Sequence, residues 1–307
     1  MAIFRLQITS IARHAGRRAT AAAAYRAGER IRDERSGALH NFSQRKDVLH
    51  TEIFVPAHLA AQNVDWARDR SKLWNAAEHA ETRRIARVAR EFQVTLPAEL
   101  SNEQRVKLAR AFSQEVADRY RVAVDLAVHA PRADGDSRNF HAHLLASTRE
   151  LTPGGFGAKA GLDMASQERE RLGLPNDSQE FTAIRARWAA LTNEALQAAQ
   201  IDARVDHRSL RAQGIEREPR PSIPLMALRI ERSGQRSEVA ERLRAQYAAR
   251  VQSRTQSPAK APSLEDVRRQ AREAWLASRG SAGNVTAAAP RDVQEAREAA
   301  PEDDYSI

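Results

Sequence analysis

Apolar and polar residues alternate through Phe4, Arg5, Leu6, Gln7, Ile8 and Thr9. That period predicts a half-buried β-strand, because successive side chains leave opposite faces. Leu49, Thr51, Ile53 and Val55 repeat it until Pro56 ends the run, and further strands are expected over 91–97, 121–130 and 139–148. Helical patterns lie between them. The alanine-rich run over 20–33 is made of strong helix formers, and 62–89 reads as a helix carrying Trp66 and Trp74. Ser101 and Gln104 have capping-box spacing and open a helix to about Arg119 with Leu108, Phe112 and Val116 on its apolar face. Another helix is expected over 178–199, and the Thr-Pro-Gly-Gly-Phe-Gly segment at 152–157 is expected to be a loop. Helices interleave with strands joined by short connections. This favours an α+β fold, a central antiparallel sheet with flanking helices, over a doubly wound parallel one.

The pattern changes after the cluster Pro219, Pro221 and Pro224. The expected organisation is a folded domain over 1–220 and a charged, helical and partly disordered extension over 221–307. Within the extension, 227–253 is helix-prone. Ser263 and Asp266 open a self-contained helix over 263–280 with a Leu264, Val267 and Trp275 stripe, and 281–307 reads as a disordered tail.

Composition narrows the class. The chain has 307 residues, 42% hydrophobic and 29% charged, enough for a real core. No run of about 18 apolar residues exists, so no membrane insertion is expected, and the N-terminus lacks a signal-peptide pattern. Cysteine is absent, which excludes disulfides, thiolate zinc sites, iron–sulfur clusters and cysteine nucleophiles. A cytoplasmic protein is expected. The net charge is +9, and only five of the 49 basic residues are lysines. Arginine forks suit phosphate, which points to nucleic acid, although a GC-rich genome would also enrich arginine.

Three of the nine histidines are grouped: His129, His141 and His143. His141 and His143 are two apart on an expected strand, so both leave one face. His129 ends the preceding strand, and a connection containing Gly135 lets the two strands pair antiparallel. Three imidazoles would then converge and leave coordination positions open on a divalent ion. A metal beside a basic surface suggests phosphodiester chemistry, which needs a nucleophile. Of the four tyrosines, Tyr25 lies in the alanine-rich helix with Arg26 beside it and Arg17 and Arg18 before it. A phenol next to guanidinium groups loses its proton more easily and can hold phosphate, yet a tyrosine in such a helix is ordinarily a packing residue.

The segment His-Ala-Pro-Arg-Ala-Asp-Gly-Asp-Ser-Arg-Asn-Phe-His-Ala-His-Leu-Leu, from His129 to Leu145, resembles the metal motif of HUH endonucleases. Together with the block around Tyr25, the chain is similar to the MobA/MobL family of plasmid relaxases, the MobQ class. Residues 87–100 and 204–219 resemble two further blocks of that family, so the likeness covers about 1–220. It implies that Tyr25 attacks a phosphodiester at an origin of transfer, keeps a 5′-phosphotyrosine bond, and later rejoins the strand. It also implies a divalent ion (Mg, Mn or Zn) on His129, His141 and His143. The implied partners are single-stranded DNA, relaxosome accessory proteins and a type IV secretion coupling protein. Glu91 matches an acidic position of the family and is expected either to orient a metal histidine or to accept the tyrosine proton. Many relatives carry a second acid where this chain has Gln93, and Phe140 fits an aromatic position before the histidine pair. Arg17, Arg18, Arg26, Arg138, Lys159 and Arg208 are the expected DNA-binding residues. For Arg208 a structural ion pair is an equal expectation.

Two other readings are weighed. A rolling-circle replication initiator places its tyrosine after the histidine motif, whereas Tyr25 precedes it. A non-catalytic DNA-binding accessory protein would not need the tyrosine and the three histidines to converge. His50 and Glu52 read as surface, and Gly154 to Lys159 lacks the spacing of a Walker motif.

Overall fold

The computed structural model describes residues 2–132, 136–256 and 272. The opening alternation forms β1 (Leu6–Ala12), and the alanine run forms α1 (Ala19–Ala27). This helix stops earlier than its composition predicts. Gly28 takes a φ of +67°, its N–H returns to the Ala24 carbonyl, and the chain leaves the helix. Residues 30–32, expected to be helical, instead form β2 (Arg30–Arg32), which pairs with β3 (Leu39–Asn41). A Cβ at position 28 would lie 3.2 Å from the Val48 side chain of β4 (Val48–Phe54), so both conformation and space call for glycine.

The helix expected over 62–89 divides into α2 (Asp65–Arg68) and α3 (Arg70–Ala80). Asp69 is extended between them and restarts the helix by accepting a hydrogen bond from the Lys72 N–H at 3.0 Å. The chain then enters β5 (Arg87–Thr95), so 87–89 are strand. The Ser101–Gln104 capping box is present and opens α4 (Asn102–Tyr120). β6 (Val124–His129) and β7 (His141–Ser147) follow. The expected loop at 152–157 is part of a hairpin, β8 (Arg149–Thr152) and β9 (Gly155–Lys159), turned at Pro153 and Gly154. Then come α5 (Ser166–Arg171) and α6 (Asp177–Ala198).

Five strands make one antiparallel sheet in the order β1-β5-β7-β6-β4. Side-chain alternation gives it two faces. Phe92, Val94, Leu126, Val128, Ala142 and Leu144 face Phe112 and Val116 of α4 and Trp188 and Leu191 of α6. Ile11, Ala89, Ala123 and Leu145 face the alanines of α1 and Leu73 and Trp74 of α3. Trp74 is fully buried, where an unbonded indole N–H would cost about 1–3 kcal/mol. It donates to Asp125 at 2.9 Å, and the Arg70 fork neutralises that carboxylate from the other side. Residues two apart share a strand face, so the second face continues into Thr9, Glu91, Gln93, His143 and His141.

α1 is also tied to the β2–β3 hairpin. The buried Asp33 accepts from Thr20 Oγ1 at 2.6 Å and from the Ser36 amide and hydroxyl at 2.7 Å, with Arg18 at 3.4 Å. Burial alone would raise the carboxyl. The bonds from Ser36 and Thr20 and the Arg18 charge outweigh it and hold Asp33 at about 2. A carboxyl depressed in the folded state stabilises fully above its unfolded pKa, near 4, and that contribution is lost as pH falls toward the folded value. Asp33→Asn is therefore expected to cost about 2 kcal/mol at pH 7 and much less near pH 2.5. Equal losses at both pH values in denaturant melts would contradict this.

Contacts divide the chain into Met1–Ser209 and Leu210–Ile307. In the second unit, α7 (Leu225–Arg232) and α8 (Glu238–Gln256) form a helix pair with Arg244 forked on Glu231. The helix expected over 263–280, Arg272 apart, and the tail over 281–307 lie outside the described residues, as does Gly135. Among the described residues, no helix is long and apolar enough to cross a membrane.

Candidate active site

The β6–β7 register sets His129 directly opposite His141. His143 lies two residues along the same face of β7. The three rings sit 5.0–5.3 Å apart between centroids, and one ligand nitrogen from each lies within 4.8 Å of the other two. Each ring has one nitrogen bonded to a protein oxygen. His143 Nδ1 donates to Glu91 at 2.6 Å, His141 Nδ1 to the Asn139 carbonyl at 2.9 Å, and His129 Nε2 to the Arg26 carbonyl at 2.7 Å. These bonds leave one acceptor nitrogen per neutral imidazole, the form that binds metals. In His129 that nitrogen is Nδ1, which Arg45 Nη2 approaches to 3.3 Å. Burial and the neighbouring His143 push His129 down to about 3, and burial lowers His141 as well, so both stay neutral at pH 7. The donor set fits a divalent ion of borderline softness.

Glu91 stands at the centre of the supporting network. Besides His143, it takes the Arg26 fork at 2.5 and 2.6 Å. Burial would raise its carboxyl, but the hydrogen bonds from His143 and Arg26 more than offset this and hold it well below the ordinary carboxylate range. Of the two roles expected for Glu91, this geometry supports orienting a histidine. A carboxylate so fully bonded and so acidic is a poor acceptor for a tyrosine proton.

Tyr25 lies in the last turn of α1, one residue before the Arg26 carbonyl that holds His129. Its ring packs edge-on against Phe42 at 5.2 Å and is 38% exposed. The guanidinium groups around it are not the expected ones. Arg26 is turned to Glu91 and Arg18 to Asp33, while Arg17 is exposed. Arg45 lies over the Tyr25 ring at 4.2 Å and donates to its carbonyl at 2.6 Å, and Arg132 Nη2 donates to the phenol oxygen at 3.2 Å. Sequence reasoning missed both. They lie 20 and 107 residues from Tyr25, and no local spacing marks them.

A family model described as MobA/MobL matches residues 17–233, and this span contains Tyr25, Glu91 and all three histidines. The chain belongs to the MobA/MobL family. It is 37% identical over 253 residues to the "Mobilization protein MobL" of Acidithiobacillus ferridurans, covering 76% of this chain and 64% of that protein. It is 32% identical to the "Probable conjugal transfer protein TraA" of Sinorhizobium fredii over 83% of this chain and 25% of that one. The chain thus spans less than two-thirds of these curated relatives. A solved structure described as "Molecular Basis of Vancomycin Resistance Transfer in Staphylococcus aureus" is similar at a TM-score of 0.57 and 25% identity, over 68% of this chain and 100% of that one.

Within this MobA/MobL chain, most of the other expected DNA contacts carry partners of their own. Arg138 is forked on Asp136 and Arg208 on Asp206. Lys159 pairs with Glu81 at 2.7 Å and shares that carboxylate with Arg149, so it is held within the fold. Phe140 lies under the Arg105 guanidinium at 3.5 Å, which braces the start of the histidine strand. Gln93 pairs with His143 in the β5–β7 register.

Proposed function

We propose that this chain nicks one DNA strand at an origin of transfer by tyrosine transesterification and later rejoins it, initiating plasmid mobilisation. The observation that carries this reading is the chain of bonds from the nucleophile to the histidines: the residue after Tyr25 holds His129 by its carbonyl and His143 through Glu91. In the nicking step the Tyr25 oxygen bonds to phosphorus and the bond from phosphorus to the 3′ oxygen breaks. The phenol proton is lost and the 3′ oxygen gains one, so a 5′-phosphotyrosine and a 3′-hydroxyl remain. The reverse attack reseals the strand, and no nucleotide cofactor is consumed. His129, His141 and His143 would hold a divalent ion, which when bound supplies positive charge opposite a phosphate.

The reading assigns the nicking activity to 1–220 and leaves 221–307 as an extension. Its partners would be single-stranded DNA, relaxosome accessory proteins and a coupling protein of the transfer apparatus, all met in the cytoplasm. Family membership and the names of the relatives support this assignment, and Tyr25 preceding the histidine pair disfavours the replication-initiator alternative.

Labelled single-stranded 40-mers tiling the intergenic DNA beside the gene would test it, incubated with the full chain and Mn²⁺ or Mg²⁺. The expected result on a denaturing gel is a covalent protein–DNA band that EDTA suppresses and whose modified peptide contains Tyr25. DNA that is retarded without covalent attachment, and equally so in EDTA, would replace this reading with the accessory-protein one.

A further inference from the structure

The cleft of about 530 Å³ beside Tyr25 is lined by Arg45, Lys46, Asp47, Ala130, Pro131 and Arg132. The arginines around Tyr25 divide by whether their charge is already balanced. Arg26 is forked on Glu91, and Arg45 is forked on Asp47, with its Nε at 2.9 Å. Arg132 is exposed and has no carboxylate partner among the described residues, and it alone of these donates to the phenol oxygen, at 3.2 Å. It stands three residues beyond His129 in the chain and lines the same cleft as Tyr25.

We infer that Arg132 is a catalytic residue of the strand transfer, holding the Tyr25 oxygen with one N–H and the non-bridging oxygens of the attacked phosphate with others. This rests on the reading above. A guanidinium has five N–H donors in one plane, and only one is used on the phenol. A phosphate within bonding distance of that phenol oxygen is within reach of the rest. As the bond from Tyr25 to phosphorus forms and the bond to the 3′ oxygen breaks, negative charge on the phosphate oxygens meets a cation that no carboxylate among the described residues balances. In the reverse step the same group receives the charge of the departing phenolate. Arg45, whose charge is balanced by Asp47 and which grips the Tyr25 carbonyl and ring, is a positioning residue.

The test uses the full chain, Mn²⁺ and the tiled single-stranded 40-mers. Arg132→Ala is expected to lower kcat for adduct formation about 100-fold, with KM for the oligonucleotide changed less than about threefold. Guanidinium ion at tens of millimolar is expected to restore roughly tenfold in Arg132→Ala and nothing in Tyr25→Phe. Adduct formation within about threefold of the unaltered chain, a loss confined to KM, or a kcat loss that guanidinium cannot reverse would each overturn the assignment. An unaltered chain that forms no adduct with any 40-mer would remove the strand-transfer reading itself, and this inference with it.

Discussion

Tyr25→Phe is expected to lose covalent capture of DNA by about 10⁴-fold or more, since removing a nucleophile removes the step it performs. The fold should not notice. The side chain is 38% exposed, its ring contact with Phe42 is kept by phenylalanine, and among the described residues the hydroxyl has one bond, to the exposed Arg132. The melting temperature should therefore shift by no more than about 0.5 kcal/mol of stability allows, and non-covalent binding of single strands should persist. Residual adduct at the level of the unaltered chain would move the nucleophile elsewhere. Tyr120 is a poor substitute. It is buried against Glu180 beneath α6, and burial together with that carboxylate raises its phenol well above the usual value.

The second large effect is at Glu91. Glu91→Ala is expected to destabilise the chain by about 2–4 kcal/mol, because Arg26 is left as a largely buried charge without its counterion. It also frees the His143 ring, and affinity for a divalent ion is expected to fall about 10–100-fold. Glu91→Gln keeps an acceptor for His143 but loses the ion pair, so it should weaken metal binding less than alanine does. Chemical denaturation and calorimetric titration with Mn²⁺ read the two effects separately. If Glu91→Ala melts with the unaltered chain and binds Mn²⁺ as well, the network described around β5 has no energetic content.

Strand periods, the Ser101–Gln104 cap and the two-residue spacing of His141 and His143 are local signals, legible in the sequence. So is the convergence of His129 with them, because a short connection leaves antiparallel pairing as the simple outcome. The fate of each arginine is not. An arginine that will meet phosphate and one that will neutralise an acid have the same side chain, and the acid that decides for Arg26 is 65 residues away. The same holds for Lys159 and Glu81. Glycine misled in both directions: Gly28 ended a helix that alanine content would have extended, while Gly154 and Gly155 belong to a hairpin that their composition disguised as loop.

The strand order has a bearing on how the molecule is made. β1 pairs with β5 and β4 pairs with β6, and only β7, the last of the five to leave the ribosome, joins these two ribbons by entering between β5 and β6. Until then each ribbon has an open edge toward the gap, and the pairings that must be found span long stretches of chain, which slows folding. The strand that closes the gap is also the one that carries His141 and His143. A nascent chain with Tyr25 already exposed has no assembled site, so the capacity to cut DNA would arrive with the last step of sheet closure.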